Sequence, residues 1–142
     1  MKKITRVALI TSGGDCQGLN AAMRGIGKAL HNKVENLEIF GMYDGYRGLV
    51  DGDYKFMEPK DFAGILTQGG TILGTKRTPY KMMQVIEADN IDKVAEMKAT
   101  YKQQKLDCIL EKSGFHLHNI FKAVNIAHLK VKRSILIQMT FC

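Results

Sequence analysis

The chain has 142 residues, of which 45% are hydrophobic and 25% charged, the ordinary make-up of one globular domain large enough for a real core. Three cysteines, Cys16, Cys108 and Cys142, lie far apart with no C-x-x-C pair, which excludes a disulfide framework and points to a reducing compartment. The net charge of +7 is uneven: residues 1–110 hold 16 basic and 13 acidic side chains, residues 111–142 hold five basic and one acidic, Glu111. No apolar run approaches the roughly 20 residues of a membrane span. The opening MKKITRVALITSGGD has lysines before apolar residues, but Arg6 interrupts it and the run is too short for a signal peptide. A cytoplasmic location is expected.

In chain order, Val7–Ile10 is a continuous apolar run, as expected of a strand buried on both faces. Leu19, Ala22, Met23, Ile26, Ala29 and Leu30 follow at helical spacing, predicting a helix over 19–31. Residues 37–43, LEIFGMY, read as a second strand, and the turn-rich DGYRGLVDGD after it as a loop. A short helix is expected over 61–68 and a short extended piece over 71–73. Ile91, Val94, Ala95 and Met97 predict a helix over 91–104, and LDCIL, 106–110, is another buried-strand run. Strands alternating with helices predict an α/β fold, doubly wound with a largely parallel sheet.

Ligands of such sheets bind beyond the carboxyl ends of the strands. Gly13-Gly14 sits at one such end and leads into a helix. A missing Cβ lets a bulky anion approach the backbone, and the helix N-terminus behind it offers free N–H groups and partial positive charge. Two better-known phosphate motifs nearly fit and fail. Gly13 and Gly18 have Walker A spacing, but Leu19-Asn20 stands in place of Lys-Ser/Thr, and no G-x-G-x-x-G occurs. A second cluster, GGTILGTKR, puts Lys76 and Arg77 after another glycine-permitted turn. Arginine's planar fork matches phosphate oxygens. Two Gly-Gly loops in one sheet, one followed by an arginine, point to a polyphosphate site.

Three stretches, ITSGGDCQGLNAAMRGI (10–26), MYDGYRGLVDGD (42–53) and QGGTILGTKR (68–77), together resemble the phosphofructokinase family in order and separation. The resemblance covers residues 3–110. It implies a doubly wound α/β fold and a 6-phosphofructokinase of glycolysis, transferring a phosphoryl group from ATP or pyrophosphate to the 1-hydroxyl of fructose 6-phosphate. It implies that Gly14 contacts the donor phosphates, that Arg77 lies between donor and sugar phosphate and steadies the transferring charge, and that Thr78 lies beside the donor. Such roles suit a reaction that depends on positioning and electrostatic stabilisation. Arg24 matches a helix position that binds a nucleotide-phosphate effector in bacterial members. Lys28 replaces the arginine often found one turn later, and Asp53 stands where those members often have a basic residue, which argues against effector control. Members of the family are homo-oligomers, and the sequence leaves this chain's assembly open.

Beyond residue 110 the pattern departs. The family continues from this strand into a GGDG or GGNG stretch that helps to hold Mg²⁺ and donor, where this chain reads EKSGFHLHNIF. The later TIDND motif, whose first aspartate is the base for the sugar hydroxyl, has no counterpart. Two regions are therefore expected: 1–110, the N-terminal part of the family's domain, and 111–142, a basic non-homologous tail from a truncated or frameshifted frame. The tail carries a helical pattern at Leu117, Ile120, Phe121 and Val124 and a strand-like run over 134–141. His116-x-His118 with a remote Cys142 has no third ligand at useful spacing, so no metal site is expected. The chain is expected to be inactive alone. A non-catalytic phosphate- or nucleotide-binding module is the alternative. A nucleic-acid-binding role has only net charge in its favour.

Overall fold

The structure, a computed structural model, describes residues 4–77, 80–83, 85–86 and 90–113. Its centre is strand β1, Thr5–Ser12, whose residues from Val7 onward are all buried. Their side chains alternate between two separate cores. Val7 and Leu9 pack with Met23, Ile39, Met57, Phe62 and Ile65. Ala8 and Ile10 pack with Phe40, Met42, Tyr46, Leu49, Met97 and Tyr101. The apolar run Val7–Ile10 is thus covered on both faces, and the expected doubly wound architecture follows.

Helix α1, Leu19–Lys33, covers the first face through Met23, with Ile26 and Leu30 packed at its edge and Gly27 against the Phe62 ring. Strand β2, Leu37–Met42, pairs parallel to β1, Thr5 against Leu37. The glycine-rich stretch expected as a loop folds instead into helix α2, Tyr46–Asp51. Tyr46 and Leu49, three apart and therefore on one face, bury against the second core, and this tertiary contact outweighs the turn-like composition. Strand β3, Tyr54–Phe56, was not legible as a strand. It pairs antiparallel to β2 and stacks its rings on Phe40, with centroids 5.2 Å away for Tyr54 and 4.6 Å for Phe56.

The helix expected over 61–68 is two 3-10 turns, Pro59–Phe62 and Ile65–Thr67. Residues 71–73 make a turn, not an extended piece. Helix α3, Tyr80–Met83, is a single turn. Helix α4, Lys93–Gln103, begins two residues later than its apolar pattern because Asp92 caps it, accepting from the N–H groups of Val94 and Ala95. Strand β4, Cys108–Ser113, pairs parallel to β1 from Val7–Cys108 to Ser12–Ser113. Its start is latched by Asp107, whose carboxylate accepts from Arg6 N and whose N–H donates to Arg6 O. The sheet order is β3-β2-β1-β4. β4 thus includes the first three residues of the basic segment. The patterns expected over 114–142, with His116, His118 and Cys142, lie outside the described residues. Among the described residues no helix is long and apolar enough to cross a membrane.

Candidate functional site

The carboxyl ends of the parallel strands β1, β2 and β4 open on one side of the sheet, where the two glycine loops meet. β1 ends at Ser12 and the chain turns through Gly13 at φ +87°. Gly14 follows. A Cβ built on it would stop 3.5 Å from Arg77 Nη2, so the guanidinium of the second loop stands over the bare backbone of the first. Arg77 and Lys76 are both exposed. The site therefore presents cations and backbone on an open face, an arrangement suited to phosphate oxygens.

Three side chains hold the loops in this relation. Thr75 Oγ1 donates to Gly13 O at 2.8 Å. Thr11 Oγ1 donates to Gly74 O at 2.8 Å and lies 2.9 Å from Thr71 Oγ1. Asn20 is 1% exposed and fully used. Its Oδ1 accepts from Ile72 N at 2.8 Å, its Nδ2 donates to Gln68 O at 3.2 Å, and its own N–H donates to Gly70 O at 3.0 Å. The sequence reading treated Asn20 only as a departure from a Walker A motif. Its signal was the polar residue in the first turn of an otherwise apolar helix face, a position that must find partners once buried.

These bonds correct one expectation. The first N–H groups of α1 are not free for a ligand, since Leu19 N donates to Cys16 O and Asn20 N to Gly70 O. Gly14 with Arg77, not the helix terminus, is the open feature. The second glycine pair is also used internally. Gly70 has φ +75°, and a Cβ there would lie 2.8 Å from Asp15 Oδ2, so that position receives the carboxylate of the first loop.

Of the other expected site residues, Thr78 lies outside the described residues. Arg24 and Lys28 stand one turn apart on α1. Arg24 Nη1 donates to Phe62 O at 3.0 Å, which ties it to the first 3-10 turn, while Lys28 is exposed. Asp53 is exposed and its carbonyl accepts from Tyr43 N. Among the described residues no three His, Cys, Asp or Glu side chains come together as a cation site. Among the described residues, the carboxylates nearest the loops do not fit a resident Mg²⁺: Asp15 faces Gly70, and Glu111 is held by Ser12 and Tyr46.

Glu111 is the group that sequence reasoning passed over. It is partly buried in the second half of β4 and accepts hydrogen bonds from the hydroxyls of Ser12 and Tyr46. Burial raises its pKa above the ordinary carboxylate value, and the two hydroxyls oppose that rise without cancelling it. The Tyr46 hydroxyl is in turn pushed far above the usual phenol range, by burial first and by the adjacent Glu111 second. Nothing in an isolated EKS tripeptide marks its first residue as buried.

Comparison with known proteins bears on the whole arrangement. The phosphofructokinase family model matches residues 6–140. An ATP-dependent 6-phosphofructokinase of Spirochaeta thermophila is 41% identical over 126 residues, 87% of this chain and 34% of that protein. ATP-dependent 6-phosphofructokinase 3 of Bacteroides thetaiotaomicron is 38% identical over 74% of this chain and 31% of its own length. The Pichia pastoris phosphofructokinase structure in the T-state superposes with TM-score 0.66 at 28% identity, covering 78% of this chain and 11% of that one. The chain thus spans about a third of the length of the curated relatives it matches. With the parallel sheet, the paired glycine loops and a match running through nearly all of its sequence, the chain belongs to the phosphofructokinase family.

Proposed function

We propose that this chain forms the donor-phosphate part of a 6-phosphofructokinase site, in a reaction that moves a phosphoryl group to fructose 6-phosphate. The observation that carries the reading is the placement of Arg77 Nη2 over Gly14. Gly14 lets a phosphate oxygen reach the backbone, and Arg77 faces the group in transfer and offsets its charge. Thr78 is assigned to the same donor. The names of the curated relatives favour ATP over pyrophosphate. Arg24 and Lys28 are left with at most a weak anion contact, since one guanidinium nitrogen of Arg24 is already committed. A cytoplasmic, glycolytic setting goes with this chemistry.

The chain alone is proposed to bind donor without turning over. The aspartate that the family uses as base has no counterpart in the sequence, and general base catalysis is commonly worth about 10²- to 10⁴-fold. In this reading residues 1–110, completed by the last three residues of β4, carry the donor site, and the basic remainder adds nothing to it. The second reading is a phosphate-binding module without catalysis, which the same open pairing of Gly14 with Arg77 would serve.

Calorimetry with ATP and with pyrophosphate tests the site on the wild type, Gly14→Val and Arg77→Ala. Binding by the wild type and its loss in both variants is expected, and equal affinity in all three proteins would dismiss it. A coupled assay in a host lacking its own phosphofructokinase tests turnover. Activity that scales with the purified chain and disappears in Arg77→Ala would overturn the proposed lack of catalysis.

A further inference from the structure

Glu111 is a partly buried carboxylate to which the reading above gives no chemical role. Three elements converge on it. It lies in the second half of β4, its first hydroxyl partner Ser12 ends β1, and its second, Tyr46, begins α2. From Ser12 the chain passes directly to Gly13 and Gly14, so the carboxylate is hydrogen-bonded to the residue that launches the open loop. The other charged and titratable groups nearby are engaged elsewhere. Arg47 of α2 pairs with Asp44 and Asp51, each at 3.0 Å. Tyr101 of α4 lies in the field of Cys108 and Asp107. Arg77 lies against Gly14, and Lys76 is exposed.

We propose that Glu111 makes anion binding at the glycine loop proton-linked: an anion held by Gly14 and Arg77 is bound together with a proton on the Glu111 carboxyl. This rests on the donor-phosphate reading of the loop. A negative carboxylate behind Ser12 repels an anion in front of Gly14, and partial burial leaves that repulsion poorly screened. Protonation removes the charge but not the scaffold. A carboxylic acid can accept from one hydroxyl and donate to the other, because Ser and Tyr oxygens are acceptors as well as donors. The loop therefore keeps its geometry while its field changes. By linkage, an anion that binds tighter to the protonated form raises the proton affinity of Glu111 by the same factor. Partial burial already raises the pKa of this carboxyl, in the direction that favours its neutral form.

The test uses the full chain, wild type and Glu111→Gln, with pyrophosphate as probe from mildly acidic to mildly alkaline pH. Glutamine keeps both hydroxyl contacts and never ionises. The titration of pyrophosphate itself is common to both proteins and cancels in the ratio of their affinities. That ratio should move on the order of tenfold across the range, with the wild type the weaker binder at alkaline pH. In parallel, the amide resonances of Gly13 and Gly14 without ligand should titrate in the wild type and not in Glu111→Gln. Tyr46→Phe removes one hydrogen bond to the carboxylate, so its titration midpoint should move up. A constant affinity ratio, flat glycine amides in the wild type, or an unmoved midpoint in Tyr46→Phe would each overturn the inference alone. Absence of pyrophosphate binding in both proteins at every pH would overturn the anion-site reading and this inference with it.

Discussion

Gly14 and Gly70 stand on two loops stitched together by Thr75, Thr11 and Asn20, and each leaves its missing side chain to a different occupant. At Gly14 a methyl group would stop at an ordinary contact distance, 3.5 Å from Arg77 Nη2. At Gly70 the same methyl would fall 2.8 Å from the Asp15 carboxylate, on a backbone with φ +75°. The first glycine keeps space open in front of a cation. The second lets the protein place its own anion there, and holds a left-handed turn that an L side chain rarely adopts. Two identical Gly-Gly pairs in the sequence therefore separate into one that leaves open space beside a cation and one that builds the frame.

Gly70→Val is the strongest way to expose this difference. It combines a β-branched residue at positive φ with a clash against Asp15, and strained positions of this kind cost about 1–3 kcal/mol before the clash is counted. A fall of about 3 kcal/mol in unfolding free energy is expected from urea denaturation. An unchanged midpoint would mean that the second loop is as open as the first.

Arg77→Ala probes the other member of the pair. The side chain is exposed, so stability should stay within about 0.5 kcal/mol. Losing a charged fork from an anion contact should weaken pyrophosphate binding by about 10- to 100-fold, the equivalent of about 1.5–3 kcal/mol. Comparing thermal melts with calorimetry on one preparation separates the two. A melting shift without an affinity change would make Arg77 part of the frame.

The split between frame and ligand face was only partly visible in the sequence. β1 was legible because an apolar run covered on both sides leaves no alternation to misread, and α1 because its apolar spacing repeats over three turns. Gly14 and Arg77 were legible as a pair through the family resemblance. Asn20 was not, because a buried amide is defined by the backbone groups it reaches, here the Gln68 carbonyl and the Ile72 N–H, 48 and 52 residues away along the chain. α2 and β3 were missed for a related reason. Tyr46, Leu49 and the rings of Tyr54 and Phe56 take their conformation from the sheet they cover, and local composition carries no trace of it. Glu111 escaped notice because its burial depends on Ser12 and Tyr46, distant residues that reach it only after β1, β4 and α2 assemble.

Glu111 also gives the frame a pH signature. Its folded pKa lies above the ordinary 4.5, so the unfolded chain releases this proton at lower pH than the folded one. The associated stability is fully present below about 4.5 and is lost as pH rises through the raised folded value. Denaturation midpoints of the wild type, taken relative to Glu111→Gln, should therefore fall over that window and level off above it. A wild type that gains on the glutamine variant with rising pH would contradict the direction.

The smallest expected effect makes the sharpest comparison. Gly14→Ala and Gly70→Ala are the same chemical change in two loops that touch. At Gly70 the methyl meets a carboxylate at 2.8 Å on a left-handed backbone, so the loss should approach the 1–3 kcal/mol typical of such strain. At Gly14 the methyl meets only the end of a flexible arginine at 3.5 Å, so nothing need move. The alanine also restricts the unfolded chain, which offsets part of any loss and has been worth about 0.4–1 kcal/mol at compatible positions. Stability of Gly14→Ala should thus lie within about 0.5 kcal/mol of the wild type, on either side. Its affinity for pyrophosphate should still fall, because the methyl occupies the approach to the backbone that the phosphate oxygen needs. Denaturation and calorimetry on the two alanine variants decide the matter. If Gly14→Ala unfolds as readily as Gly70→Ala, both glycines belong to the frame, and the ligand face must be sought elsewhere.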